Sequence, residues 1–342
     1  MTEPQRIESR CASARKPLAT IYDVAEATGV SPSTVSRALN KPGRLSEATE
    51  RRVRDAAEEL GYRANPMARA LLTGKTGILA LLVSDLTNPV YFDLVRGAEG
   101  VAAEMGLALV LAESQESAIQ ERAIAERLQV LVDGVVLVAS RMDDEQIIEI
   151  ASMKPLVIAN RRVPGVPSVV PDVCPGIASA LEDIYAHGHR RIAYLSGPDA
   201  SWMNGLRWQT LFDSAVARDI SIVEIKSAAP TREGGAEALP RVMAAGVTAV
   251  LAYNDVLALG LLRACRDRAI DIPGRLSLVG FDDIFVADVP SPSLSTIKSP
   301  LRELGGETIR RLRQEIEGEG ECDAPTLSTS YVSRESLARP QQ

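Results

Sequence analysis

Apolar positions along the chain follow two rhythms, with a change near residue 77. Before it they recur every three or four residues. Val24, Ala25 and Thr28 form one such set, Val35, Ala38 and Leu39 a second, and Val53, Ala56, Ala57 and Leu60 a third. That spacing predicts three short helices with one buried stripe each. After it come continuous apolar runs, GILALLV, LALVLA, GVVLVA, PLVIAN, RIAYLSG, TAVLAYN and LSLVGF, separated by helix-length segments. Apolar strands alternating with helices predict parallel sheets covered on both faces, an α/β body behind an all-α head.

The punctuation of the head agrees with its rhythm. Thr20 precedes IYDVAEATG with Asp23 three residues on, a capping-box start, and Gly29 stops the helix. Ser31-Pro32 then opens the second helix as cap and first helical position. The third helix is expected over Ser46–Leu60, with Gly61 as its stop. Two helices joined by a tight glycine turn, the second short and polar, make a helix-turn-helix.

In VSPSTVSRALN, residues 30–40, the stripe of Val35, Ala38 and Leu39 leaves Ser33, Thr34, Ser36 and Arg37 facing outward near the leading end. Hydroxyls and a guanidinium placed there can reach base edges and phosphates in a major groove, and Arg37 can fork onto a guanine. A capped, solvated surface helix is the plainer alternative. Arg44, Arg51 and Arg52 suit either phosphate contacts or simple solvation.

Residues 65–77, NPMARALLTGKTG, give Asn65 as cap, Pro66 as start and Gly74 as stop of a helix of about two turns. A helix so short is marginal alone, and Leu71 and Leu72 need a partner to cover them. One reading is a hinge that orders on binding, with Leu71 as an apolar wedge for a minor groove. The other is an ordinary linker.

In the body, no GxGxxG or Walker loop follows a strand, and no Ser/His/Asp or Cys/His set is evident. Polar residues do gather just past strand ends, where open α/β sheets bind ligands. Asp85, Asn88 and Tyr91 follow the first strand, and Asn160-Arg161-Arg162 the fourth. Trp202, Asn204 and Arg207 follow YLSGP, while Asn254, Asp255, Asp282 and Asp283 follow later strands. Fixed amides, carboxylates, an arginine and an aromatic face suit a sugar. Against this, Asn and Asp after strands favour helix caps, the reading preferred for Asp255, and Trp202 suits packing as well as contact.

Charge adds direction. The chain carries a net −7, but residues 1–75 hold 13 Lys and Arg against 9 Asp and Glu, the remainder 25 against 36. A basic head on an acidic body is expected where only the head meets a polyanion. Cys11, Cys174, Cys265 and Cys322 stand singly, and His187 and His189 lack ligand-spaced partners, so neither metal nor cofactor is expected. Residues 1–18 lack apolar residues to bury and read as a disordered arm rather than an export signal, and no run reaches the ~18 apolar residues of a membrane helix. A cytoplasmic protein is expected.

The stretch TIYDVAEATGVSPSTVSRALN…LSEATERRVRDAAEELGYRANPMARALLTGKT resembles, nearly continuously over residues 20–76, the DNA-binding region of the LacI/GalR family of bacterial transcription regulators. The resemblance implies a recognition helix over 32–40, with Pro32, Ser33 and Arg37 facing bases. It turns Thr20, Thr34, Ser36 and Asn40 mostly to phosphates, and sets Ala68 and Leu71 at hinge positions that enter the minor groove. HGHRRIAYLSGP, AYNDVLALGLLRA, LSLVGFDD and LSTIKSP are similar to the family's effector domain, itself like periplasmic sugar-binding proteins. There the implied contacts include Ser84, Asp85, Tyr91, Asn160, Arg207, Asn254 and Asp282. The sequence departs from the family at Asn160, where an acid often precedes the arginine, and in DASWMNGLRWQ, with its two tryptophans.

The resulting expectation is a helix-turn-helix over 19–64, a hinge over 65–75 and a two-subdomain body over 76–342. The amino-terminal subdomain takes about 76–171 and 298–326, the other about 172–297 and 327–342. Function is expected to be that of a homodimeric regulator, a repressor, binding palindromic double-stranded operator DNA under control of a sugar or sugar-derived effector. A non-sugar effector, a solute-binding protein of the same body fold and a small-molecule enzyme are the alternatives.

Overall fold

The computed structural model describes residues 19–40, 43–62, 74–319 and 326–341. The chain divides into two units, Met1–Thr76 and Gly77–Gln342. The arm over 1–18 and the hinge positions Asn65, Ala68 and Leu71 lie outside the described residues.

The head is three helices, α1 (Ile21–Thr28), α2 (Pro32–Asn40) and α3 (Glu47–Glu59). Thr20 and Asp23 close a reciprocal capping box: the Thr20 N–H donates to Asp23 Oδ2 at 2.6 Å, and the Thr20 side chain accepts from the Asp23 N–H. The Thr20 N–H, with the Thr20 hydroxyl donating to the same oxygen at 2.8 Å, holds the Asp23 carboxyl below its usual range. Gly29 ends α1 with φ 65°, a left-handed turn for which glycine has no Cβ penalty. Val24, Ala25, Val35, Ala38, Val53 and Ala57 form the core. Leu60, assigned by its spacing to the inner stripe, is instead 42% exposed. It caps the end of α3, where the three-helix core runs out, and Tyr62 packs against that core instead.

The body holds two sheets. The first runs β2-β1-β3-β4-β5, from β1 (Ile78–Val83), β2 (Ala108–Glu113), β3 (Gly134–Val138), β4 (Leu156–Ala159) and β5 (Ser168–Val169). Its helices are α4 (Val90–Glu104), α5 (Ala118–Leu128), α6 (Asp144–Met153) and, from far along the chain, α11 (Leu301–Glu317). The second runs β11-β10-β9-β8-β6-β7, from β6 (Arg191–Ser196), β7 (Ser221–Lys226), β8 (Ala249–Ala252), β9 (Ser277–Asp282), β10 (Ser295–Lys298) and β11 (Ser330–Val332). It carries α7 (Cys174–Ala186), α8 (Trp202–Val216), α9 (Arg232–Ala244) and α10 (Asp255–Asp267). All pairings are parallel except β10 with β11.

The seven apolar runs became β1, β2, β3, β4, β6, β8 and β9. Four further strands escaped that pattern, because β7 mixes polar and apolar residues on an edge and the others span two to four residues. β2 departs in another way. As an edge strand it leaves Val110 and Leu111 38% and 39% exposed, rather than covered on both faces.

Between the sheets the chain passes after β5, after β10 and before β11. The first and last passages are tied together: the Asp172 N–H donates to Leu327 O at 2.7 Å and the Thr329 N–H to Asp172 O at 2.9 Å. The middle passage delivers α11 onto α4, where glycines permit backbone contact. A Cβ at Gly305 would stand 2.0 Å from Leu94 O, and one at Gly97 1.9 Å from Arg302 O. Gly305→Ala is therefore expected to destabilise the body by about 1–3 kcal/mol or more, read as a lowered urea midpoint; an unchanged midpoint would refute the close approach.

Candidate effector cleft and nucleic-acid interface

In the head, the polar side of α2 is arranged around Ser31. Its Oγ lies 2.8 Å from Ser33 Oγ and 2.9 Å from Thr34 Oγ1, and it accepts from the Thr34 N–H at 3.2 Å. Val35 and Ala38 are buried, whereas Ser33 and Arg37 are exposed and Pro32, Thr34 and Ser36 half-buried. Asn40 is the last residue of the helix. Thr20 is committed to capping α1, and Arg44 is exposed. This surface is short, polar and fixed on a rigid three-helix core, the geometry that lets a helix read a groove.

In the body, the carboxyl ends of both sheets border one cavity of about 50 Å³, several times the room one water needs. From the first sheet come Asp85 after β1, Glu116 after β2, Ala139 and Arg141 after β3, and Asn160 after β4. From the second come Tyr253 and Asn254 after β8, Asp282 at the end of β9 and Ser299 after β10, with Arg207 and Met203 from α8. Four of these residues adopt positive φ without being glycine: Glu116 at 58°, Ala139 at 53°, Asn160 at 59° and Asp282 at 110°. Such backbone costs about 1–3 kcal/mol per residue and gathers at functional sites.

Arg207 is the most constrained of the group. Its Nη2 donates to Asp282 Oδ1 at 3.0 Å and its Nη1 to Tyr253 O. The guanidinium carbon lies 3.6 Å from the Phe281 ring centre and 5.1 Å from that of Tyr253. Burial pushes the Asp282 carboxyl up, and the Arg207 guanidinium beside it pulls back down. Ser299 Oγ donates to the same Asp282 oxygen at 3.3 Å. The ring of Tyr253 reaches this place because residue 197 is glycine; a Cβ there would lie 2.6 Å from the ring.

The sequence-derived positions separate on these facts. Asp85, Tyr91, Asn160, Arg207, Asn254 and Asp282 come together at the cavity. Ser84 does not line it; its Oγ is bonded to the Tyr91 hydroxyl beneath the surface. Trp202 is also elsewhere, in a groove with Val173, Cys174 and Leu206. On α8, Met203 and Arg207 are four residues apart and share the cleft face, while Trp202 and Leu206 share the neighbouring one. Asn254, not Asp255, caps α10, its Oδ1 accepting from the Leu257 N–H at 2.8 Å. Asp255 is fully buried, accepting from the Thr296 hydroxyl at 2.6 Å and the Ile284 N–H at 2.9 Å. Arg161 is spent on Ser140 O, Met142 O and Asp144, and Asn204 on the Tyr194 hydroxyl and the Gly197 N–H.

Arg141, Glu116, Tyr253 and Ser299 join the site only in the folded chain. The signal for Arg141 was available, since SR follows the apolar run of β3 just as polar residues follow β1 and β4. Glu116 gave none, being three residues past an edge strand. Among the described residues no group of three or more His, Cys, Asp or Glu is placed to hold a metal, and no helix is long and apolar enough to cross a membrane.

A helix-turn-helix followed by a two-sheet binding body with a polar cleft defines the class of ligand-responsive DNA-binding regulators. Comparison with known proteins places the chain within that class. Residues 20–65 match the family described as bacterial regulatory proteins, lacI family, and residues 181–337 a periplasmic binding protein-like domain. The HTH-type transcriptional repressor CytR of Escherichia coli (strain K12) is 32% identical over 310 residues, 88% of this chain and 91% of that protein. The HTH-type transcriptional regulator AscG of the same strain is 33% identical over 334 residues, 94% of this chain and 99% of that protein. Among solved structures, the lac repressor dimer bound to operator and the anti-inducer ONPF superposes with a TM-score of 0.84 at 26% identity, covering 94% of this chain and 99% of that one. The chain belongs to the lacI family of bacterial regulatory proteins and is a DNA-binding transcriptional regulator.

The buried pair generates a stability prediction. Arg207→Met leaves Asp282 buried without its cation and is expected to cost about 3–5 kcal/mol. The double variant Arg207→Met/Asp282→Leu is expected to regain part of that loss in urea unfolding. A double variant less stable than the single one would show that the two side chains do not act as a pair.

Proposed function

We propose that this regulator is a cytoplasmic repressor that binds a palindromic operator as a homodimer and senses a sugar or sugar-derived effector in the cleft between its two sheets. The observation that carries the reading is the convergence of side chains from both sheets on one cavity, in a chain that also bears an exposed Ser33–Arg37 surface on a capped helix.

In the head, Ser33 and Arg37, with Pro32 beside them, take the bases. Thr34, Ser36, Asn40 and Arg44 take phosphates, with Thr20 contributing near its cap. Asn65, Ala68 and Leu71 serve as the hinge, Leu71 wedging the minor groove. In the body, Asp85, Asn160, Asn254 and the Arg207–Asp282 pair hold the effector's polar groups, Tyr91 stays a neutral phenol held by Ser84, and Trp202 packs outside. Burial raises the Tyr91 phenol, so it donates or accepts without ionising.

Both lobes contribute to the cavity, so a ligand that bridges them favours the closed arrangement. Phe92 of α4 and Phe285 after β9 already stack across from one lobe to the other, ring centres 6.0 Å apart. Effector control is then a difference in affinity between DNA-competent and incompetent states, typically ~1–3 kcal/mol. Exposed apolar side chains on the body, Val110 and Leu111 of β2 with Phe285 and Val289, support a second copy as their cover. The relatives are transcriptional regulators, and the reading assigns the cleft no catalysis.

The test is selection of bound sequences from random duplex DNA by the full-length protein, with and without a mixture of sugars and metabolites. An enriched palindrome is the expected result. Arg37→Ala is expected to weaken binding to it by roughly ten- to a hundredfold, the worth of one lost base contact, while effector binding persists. No enrichment under either condition, or unchanged affinity in Arg37→Ala, would overturn the assignment of α2.

A further inference from the structure

Both arginines that reach the cleft arrive already paired. Arg207 has Asp282. Arg141, from the opposite lobe, donates from Nε to Glu116 Oε2 at 2.6 Å and from Nη1 to Ala139 O at 2.9 Å. Its backbone N–H donates to Glu121 Oε2 at 2.8 Å. The Arg141 side chain is 6% exposed and that of Glu116 33%. Glu116 is aimed inward by a turn after β2 in which Gln115 and Glu116 both adopt positive φ, at 51° and 58°, and its N–H is pinned to Ser84 O at 2.9 Å.

Asp85 adds a further carboxylate at the cavity, its Oδ1 accepting from the Thr87 N–H and hydroxyl. Among the described lining residues, three carboxylates therefore face two guanidinium groups. An entering phosphate or carboxylate would have to displace Glu116 or Asp282 from its arginine and sit near Asp85. Displacing Asp282 strands a buried carboxylate, and displacing Glu116, a third exposed, breaks its charge-assisted bond and leaves its charge beside the entering anion. An uncharged ligand meets no such conflict. Arg141 Nη2 has no hydrogen-bond partner among the described residues, and it offers a hydroxyl or carbonyl oxygen one donor edge without a net charge behind it.

We propose that Glu116 sets the charge specificity of the effector site. By neutralising Arg141 it admits uncharged polyhydroxyl ligands and shuts out phosphorylated and carboxylated ones. This rests on the reading of the cleft as the effector site and names the ligand class that site accepts. It also assigns a specificity role to a residue outside the set legible in the sequence.

The experiment compares the full-length protein with Glu116→Gln and Glu116→Gln/Arg141→Gln. Binding of inorganic phosphate, glucose 6-phosphate and gluconate is measured by calorimetric titration at constant ionic strength. Glutamine can still accept from Arg141 Nε, which preserves the fold; circular dichroism checks this. The expected result is at least tenfold tighter binding of one or more of these anions by Glu116→Gln than by the unsubstituted protein, with the gain lost in the double variant. Two results would overturn the proposal: anion binding by the unsubstituted protein as tight as by Glu116→Gln, or a natively folded Glu116→Gln that gains none. Failure of the cleft reading would look different: a neutral ligand that releases the operator would bind Arg207→Ala unchanged.

Discussion

The buried bond between Arg207 and Asp282 is the constraint on which the cleft depends. An arginine and an aspartate removed from water are tolerable only as a pair, so each fixes the other's position, even though Arg207 Nε stays buried without a hydrogen-bond partner. That requirement ties α8 to the end of β9, and through Tyr253 O to the end of β8. Phe281 supplies the face beneath the guanidinium, and the missing Cβ at residue 197 lets Tyr253 stand beside it. One ion pair thus holds three elements at the spacing a ligand would meet.

The opposite lobe repeats the plan with different residues. Arg141 is held at its backbone by Glu121 and at its side chain by Glu116, so the first sheet presents a neutralised guanidinium much as the second does. The carboxyl ends of parallel strands are where helices begin and where open sheets leave a crevice. Positive φ at Ala139, Asn160 and Asp282 stores strain at that rim, which the surrounding packing has to offset. The two lobes are joined by three passages of chain, two of them hydrogen-bonded to each other. A body made this way can change the distance between its halves without remaking either core.

The head solves a different problem with the same economy of means. Its core is small side chains at helical spacing, so α2 is positioned closely by α1 and α3 while its hydroxyls stay outside. Ser31 links Ser33 and Thr34 into one hydrogen-bonded group, which limits the rotamers those hydroxyls can adopt. Regulation joins these two parts by the family relationship, a link that neither part displays by itself.

Local chemistry in the sequence determined the head almost completely, since Thr20, Gly29, Ser31-Pro32 and Ser46 act on neighbours within four residues. It determined the α/β character of the body too, because seven apolar runs can satisfy their backbones only in covered sheets. It also pointed to Asp85, Asn160, Arg207, Asn254 and Asp282, all close behind strand ends or on the helix that follows one. Tertiary structure alone decided the rest. Leu60 lost its burial because the core ended before it, β2 became an exposed edge, and α11 crossed back to pack on α4 from two hundred residues away. Trp202 turned from the cleft because Arg207, five residues on, faces it from the adjacent side of the same helix. Arg141 and Glu116 meet across a separation of 25 residues, and no periodicity or motif records a contact that only the stacking of β1, β2 and β3 side by side creates.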